Sequence, residues 1–183
     1  MITVNVKDRE IYFEDRNEFH TIEGGEFHLE HSLHSITKWE TKYLKSFVMT
    51  EKTTEELMDY FSMMNLDESR YLDPLGLTND QIQKIVEYIE KPKTAQTFKE
   101  DNSQNKAGAS KEIVTSDLVY YWMSALQLPF ECQYWNFDRL IALIRLASIK
   151  NAPEKKETKA EALKRTRATN LAMRAKYEKN KHK

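Results

Sequence analysis

The 183-residue sequence predicts a mainly α-helical (α+β) domain with a small N-terminal β-hairpin or sheet and an extended basic C-terminal helix. Three observations lead to this fold class. Apolar residues alternate near the N-terminus, apolar residues recur with helical period after capping signals in the centre, and the C-terminal segment is charged and poor in core-forming side chains. The length suits one domain with a hydrophobic core. We therefore expect a helical domain over residues 1–150 and a basic helix or tail over residues 151–183.

The N-terminal segment has the alternation of a β-hairpin. Every second residue from Ile2 to Val6 is apolar, and residues 11–13 resume an apolar run after a polar stretch that suits a turn. These two runs are predicted to pair. A second short β segment is predicted over residues 26–33, where apolar residues fall on one face of a period-two pattern.

The central region predicts two capped helices. Thr53 and Glu56, and again Thr78 and Gln81, have capping-box spacing ahead of an apolar stripe of helical period. Pro92 is expected to end the second of these helices.

The following region predicts a loop and then two more helices. Phe98 is the only large apolar residue in residues 93–112, which predicts an exposed loop. Helical periodicity resumes at about Ser116, the predicted N-cap. Residues 137–150 are apolar nearly all round a helix, so we expect that helix in the middle of the core.

The charge of the chain is unevenly distributed. Residues 150–183 carry 12 Lys and Arg against four Asp and Glu, a net charge of +8, whereas residues 1–149 carry −9. Such a basic segment can neutralise phosphates, bind an acidic protein surface or simply solvate a helix. Only Tyr177 offers an aromatic ring for base stacking, so dedicated nucleic-acid recognition is not indicated.

The histidines and the single cysteine are the candidates for metal binding and nucleophilic chemistry. His28, His31 and His34 are three apart, a spacing that brings imidazoles together on a helix and separates His28 from His31 on a strand. The segment favours a strand running into a loop, so we predict no metal site. Cys132 beside aromatic residues is expected to be a buried apolar side chain. We predict no catalytic residue and no cofactor.

An aromatic-rich region spans residues 120–137. Helical spacing favours core positions for most of its rings, and an interaction face is the alternative, since Trp and Tyr are frequent in interface hot spots. Arg139 is a candidate interface anchor on the following helix. The candidate partner-binding residues of the whole chain are Trp39, Tyr121, Trp122, Trp135, Arg139, Lys164, Arg165, Arg167 and Arg174.

Membrane insertion and secretion are not expected. No stretch approaches the run of about 18 apolar residues that a membrane-spanning helix needs. The N-terminus lacks a basic segment followed by an apolar one and a cleavage site. We therefore expect a cytoplasmic protein.

Several stretches together resemble a family of small proteins encoded in the tail-gene region of long, flexible-tailed bacteriophages. The stretches read FHLEHSL and SITKWE at residues 27–33 and 35–40, then YYWM, PFEC and IKNAP at residues 120–123, 129–132 and 149–153. The likeness spans most of the chain. Of the three histidines, His31 alone matches one expected in the shared motif.

The resemblance implies a tail assembly chaperone without catalytic activity. Such chaperones bind the tape measure protein, a long and largely helical chain, and help tail tube subunits to polymerise around it. The expected location is the cytoplasm of the infected bacterial host, and self-association is compatible with the acidic body and basic tail. The alternatives are a structural component of the virion and, less favoured, a nucleic-acid-binding factor that uses the basic tail.

Overall fold

The computed structural model describes residues 1–96, 113–151 and 159–181. Within them the chain is mainly helical with a small antiparallel β region, which confirms the predicted fold class at this level. It divides into two compact units, Met1–Lys150 and Asn151–Lys183. The elements are β1 (Ile2–Val6), β2 (Arg9–Phe13), β3 (Glu18–Ile22), β4 (Gly25–Leu29), α1 (Leu33–Tyr43), α2 (Thr54–Met63), α3 (Asn79–Glu90), α4 (Ser116–Ala125), α5 (Phe137–Asn151) and α6 (Lys159–Lys181).

The four strands form one long, interrupted hairpin, so the predicted pairing of β1 with residues 11–13 is wrong. β1 pairs with β4, and β2 pairs with β3, both antiparallel. The register continues without a shift from Val6 opposite Gly25 to Arg9 opposite Ile22. The polar stretch after β1 is thus a break within one ribbon, because the true turn lies between β2 and β3.

Gly24 allows the ribbon to break at this point. A Cβ at Gly24 would lie 2.4 Å from the backbone nitrogen of Asp8. The Gly24 N–H donates to Asp8 Oδ1 at 2.7 Å, and its carbonyl accepts from the Arg70 guanidinium at 2.8 Å. The close approach of the two strands therefore requires glycine.

Helix α1 was not predicted from the sequence. The expected β segment over residues 26–33 ends at Leu29 in the structure, and Leu33 begins a helix instead. Ser32 caps this helix by accepting from the Ser35 N–H at 3.2 Å. Ile36 and Trp39, three apart on one face, are buried, so the spacing of apolar residues here is that of a helix.

The two predicted capping boxes are confirmed. The Glu56 N–H donates to Thr53 Oγ1 at 3.3 Å, and the Thr53 N–H donates back to Glu56 Oε2 at 2.9 Å. Thr78 and Gln81 make the same reciprocal pair at 3.3 and 2.9 Å. Helix α3 ends two residues before Pro92, as expected.

The predicted loop over residues 93–112 lies mostly outside the described residues. Residues 93–96 have neither helix nor strand. Beyond the gap, Thr115 rather than Ser116 is the N-cap of α4, because its hydroxyl accepts from the Leu118 N–H at 3.4 Å.

Helix α5 is central for only part of its length. Leu140 and Ile144 are buried, but Leu146 and Ile149 are exposed at 37% and 62%. The expectation that the whole helix lies in the middle of the core is therefore wrong for its C-terminal turns.

The core of Met1–Lys150 lies between the β1–β4 ribbon and the helices. Its largest fully buried side chains include Trp39, Tyr60 and Phe61, contributed by α1 and α2. Cys132 is buried as predicted, and burial raises the pKa of its thiol. Of the helices in the described residues, none combines the length and apolarity needed to cross a bilayer.

Candidate protein-binding groove

One face of α5 lines a groove that is open to solvent. Arg139, Ala142, Leu143 and Leu146 have the spacing i, i+3, i+4 and i+7 and therefore share one side of the helix. Residues 93–96 form the opposite wall, and Trp135 lies among the lining residues. The groove has a volume of about 260 Å³. We call it the α5 groove.

The start of α5 is held firmly, and this places the groove. The Phe137 N–H donates to the His31 carbonyl at 2.8 Å, and the Asp138 N–H donates to Asn136 Oδ1 at 3.1 Å. The Asp138 carboxylate in turn accepts from the Lys93 N–H at 3.3 Å. The same helix end therefore anchors both walls of the α5 groove.

The α5 groove has an apolar floor with positive charge at its edge. Ala142 is buried, Leu143 is half-buried, and Leu146 is partly open to solvent. Trp135 is 44% exposed, and the Arg139 guanidinium lies 5.7 Å from its ring centroid. This combination of aliphatic floor, aromatic ring and guanidinium is typical of sites that bind the apolar face of another protein.

The sequence-predicted partner residues of the first unit occupy three different environments. Trp135 and Arg139 lie in the α5 groove. Tyr121 is 67% exposed on α4, and Trp122 on the same helix is half-buried against the core. The structure corrects Trp39: it is fully buried, and its Nε1–H donates to the Glu56 carbonyl at 2.9 Å. Trp39 therefore supports the fold and offers no surface to a partner.

The four predicted residues of the second unit lie on α6. Lys164, Arg165, Arg167 and Arg174 are all exposed. Lys164 and Arg167 are three apart, and Arg174 is one heptad beyond Arg167, so these three share a side of the helix. Arg165 lies about 100° round from Lys164.

The aromatic-rich region is less buried than its helical spacing predicted. Of the seven rings over residues 120–137, four are exposed, two are half-buried, and Phe137 alone is buried. The prediction that most of them are core residues is therefore wrong. The exposed four are Tyr121, Phe130, Tyr134 and Trp135.

The three histidines that suggested a metal site face different neighbours. The His28 ring lies 3.1 Å from Thr3 Oγ1, the His34 ring 3.0 Å from a Glu68 carboxylate oxygen, and His31 Nδ1 2.5 Å from the Tyr60 hydroxyl. Among the described residues, no group of three potential metal ligands converges.

A polar cluster around Glu30 is enclosed within the first unit. Burial opposes its ionisation, but bonds from the N-terminal ammonium, Tyr88 and Asn136 outweigh burial and lower the pKa of Glu30. Burial lowers the pKa of His31 to about 4, against the charges of Asp138 and Glu30, which raise it. Glu30, His31 and Asn136 are buried, and each has a hydrogen-bond partner, so they stabilise the fold rather than form an open site.

Sequence reasoning missed Ala142, Leu143 and Leu146 as candidate site residues. Their signal was the apolar character of α5 all round, which was interpreted as deep burial. A helix with apolar residues on every side can be fully buried, or it can leave one side exposed for a partner to cover. The exposure of Leu146 shows that α5 is not fully buried. The sequence did not indicate that residues 93–96 line a groove, because a connecting segment has no periodic pattern from which its position can be predicted.

Comparison with known proteins gives no match to a family model, a curated protein or a solved structure.

Proposed function

We propose that this protein is a non-catalytic binding factor in the assembly of bacteriophage tails. In this proposal it acts as a tail assembly chaperone that engages the tape measure protein, the tail tube protein or both, in the cytoplasm of the infected bacterium. The observation that carries the proposal is the α5 groove, where an aliphatic helix face, Trp135 and Arg139 are open to solvent.

A groove of this kind suits a helical partner. An amphipathic helix buries its apolar face in such a site through side chains spaced three and four residues apart. The resemblance to phage tail proteins implies a partner that is long and largely helical, which is the same requirement. Trp135 and Arg139 belong to the residue types that contribute most to protein interfaces.

The basic α6 helix is a second contact surface in this proposal. Lys164, Arg167 and Arg174 share one side and flank Leu171, which is itself exposed. An acidic partner segment would pair with these charges, and Leu171 would add apolar contact. Because exposed ion pairs contribute only about 0.2–1 kcal/mol each, this surface would support binding rather than determine it.

Capture from infected cells tests the proposal. Tagged full-length protein is added to a lysate of phage-infected host cells, and bound proteins are identified by mass spectrometry. We expect tape measure or tail tube protein in the wild-type capture. In Leu146→Glu, a carboxylate enters the apolar groove without a partner, and we expect recovery to fall about tenfold.

Leu44→Glu is the matched control. Leu44 is 88% exposed and lies at the C-cap of α1, outside the α5 groove. The same chemical change there should leave capture unchanged. Absence of both tail proteins from the wild-type capture would refute the proposal. An equal fall in recovery for the two variants would show that the α5 groove is not the binding site. Recovery of the polypeptide from purified particles would favour the structural virion component instead.

A further inference from the structure

Strand β1 is an edge strand in the described part of the chain. The Leu66 N–H donates to the His28 carbonyl, and the Glu30 N–H donates to the Met64 carbonyl, both at 2.9 Å. The backbone groups of His28, and of Glu30 just after β4, therefore point away from β1, and the backbone groups of Phe27 and Leu29 point towards it.

The register then decides which β1 groups point outwards. Ile2 and Val4 stand opposite Leu29 and Phe27, so their backbone groups bond to β4. Thr3 and Asn5 direct their N–H and carbonyl groups to the free edge. Within residues 1–96, 113–151 and 159–181, β1 pairs with β4 alone.

Helix α3 faces this edge across a second groove. It has a volume of about 450 Å³ and is lined by residues 2–5 of β1 and one side of α3. Gln81 Nε2 donates to the Asn5 carbonyl at 2.6 Å. The Asn5 carbonyl is therefore already bonded to a side chain of α3, which leaves the Thr3 N–H and carbonyl and the Asn5 N–H as the groups directed to the edge. We call this site the β1 groove.

The β1 groove is positively charged although the chain around it is acidic. Lys84, Lys91 and Lys93 line it together with a single carboxylate, Glu87. The Lys93 ammonium lies 4.1 Å from the Tyr88 ring centroid. Residues 1–149 have a net charge of −9, so the charge of this groove is opposite in sign to that of the segment that forms it. Such a site attracts carboxylates.

We propose that the β1 groove binds an extended acidic peptide segment, which pairs with the free edge of β1 and places its carboxylates against these lysines. The Thr3 N–H and carbonyl and the Asn5 N–H would bond to the peptide backbone, because an unpaired edge is completed by an added strand. A helix is excluded as occupant of the edge, since its own backbone groups are already bonded. The lysines select an acidic sequence.

A synthetic peptide that alternates Glu and Val tests this site on the full chain. Binding is followed by fluorescence anisotropy. We compare it with a peptide in which Lys replaces Glu and with an acidic peptide N-methylated at alternate residues, which cannot donate to the edge. We expect binding of the first peptide only, weakened by added salt. Its binding should also slow hydrogen exchange of the Thr3 and Asn5 amides.

Charge reversal completes the test. Lys84→Glu should weaken binding about fivefold, the upper range for an exposed charge pair. Lys7→Glu makes the same change in net charge at an exposed residue outside the groove and should leave binding unchanged.

Equal effects of the two variants, equal binding of the Lys peptide, or unchanged amide exchange would overturn the proposal. Concentration-dependent protection of the Thr3 amide without peptide would assign the edge to a second copy of the chain. Neither variant touches the α5 groove, so failure here leaves the tail-protein capture as a separate result.

Discussion

At the scale of single residues, the most informative pair is Glu30 and His31, which are adjacent in the chain and buried together. Glu30 is held ionised by the N-terminal ammonium, Tyr88 and Asn136. His31 is held neutral by burial, and its ring lies 5.8 Å edge-on from the Tyr60 ring. The folded chain therefore favours ionised Glu30 and neutral His31, and acid protonates both side chains.

Stability should therefore fall on acidification. The folded pKa of His31, about 4, is below its ordinary 6.5, so the unfolded chain binds more protons between these values. The contribution of neutral His31 to the free energy of unfolding is fully present above pH 6.5. It is lost as pH falls towards 4, and the loss is on the order of 3 kcal/mol. Glu30, whose folded pKa is lowered, contributes a loss of the same sign as the pH falls through that pKa. Urea unfolding at several pH values measures the sum.

His31→Gln isolates the histidine contribution. The amide does not titrate, so the decline between pH 6.5 and 4 should become shallower. A His31→Gln profile parallel to that of wild type would show that His31 does not control the acid response.

At the scale of elements, the helices that were predicted correctly are those whose ends carry their own signals. Thr78→Ala removes the hydroxyl that accepts from the Gln81 N–H and should cost about 1 kcal/mol. Thr78→Ser keeps the acceptor and should recover most of this loss. Urea unfolding measures both variants, and an unchanged midpoint for Thr78→Ala would contradict the assigned cap.

The strand pairing predicted incorrectly depended on a distant partner, whereas α1 was missed despite local signals of its own. The apolar alternation in β1 is compatible with pairing to any strand that has one apolar face. Pairing with β4 is favoured because it buries Val4 beside Phe27. Helix α1 has its own Ser32 cap and helical spacing, but an alternating start at residues 26–29 suggested a longer strand. Of the candidate site, Trp135 and Arg139 were predicted, whereas the apolar floor was assigned to the core.

At the scale of the whole molecule, every hydrophobic-core residue in the described part of the chain belongs to Met1–Lys150. A chain truncated after Asn151 should therefore unfold in a single cooperative transition, as expected of one domain. Circular dichroism and intrinsic tryptophan fluorescence should give the same midpoint, because all three tryptophans lie in that unit. Absence of a transition would show that the core needs residues beyond 151, and non-coincident transitions would contradict single-domain, two-state unfolding.

The sequence by itself determined the class of fold, the two capping boxes, the burial of Cys132 and the contrast between acidic body and basic C-terminal segment. These depend on neighbours within a few residues or on composition. Only the tertiary structure decided that β1 pairs with β4, that Trp39 is buried, and that one side of α5 and one edge of β1 stay open. Those outcomes depend on which distant segments pack against the same apolar surface or bond to the same backbone groups. A local sequence pattern describes only one of these segments.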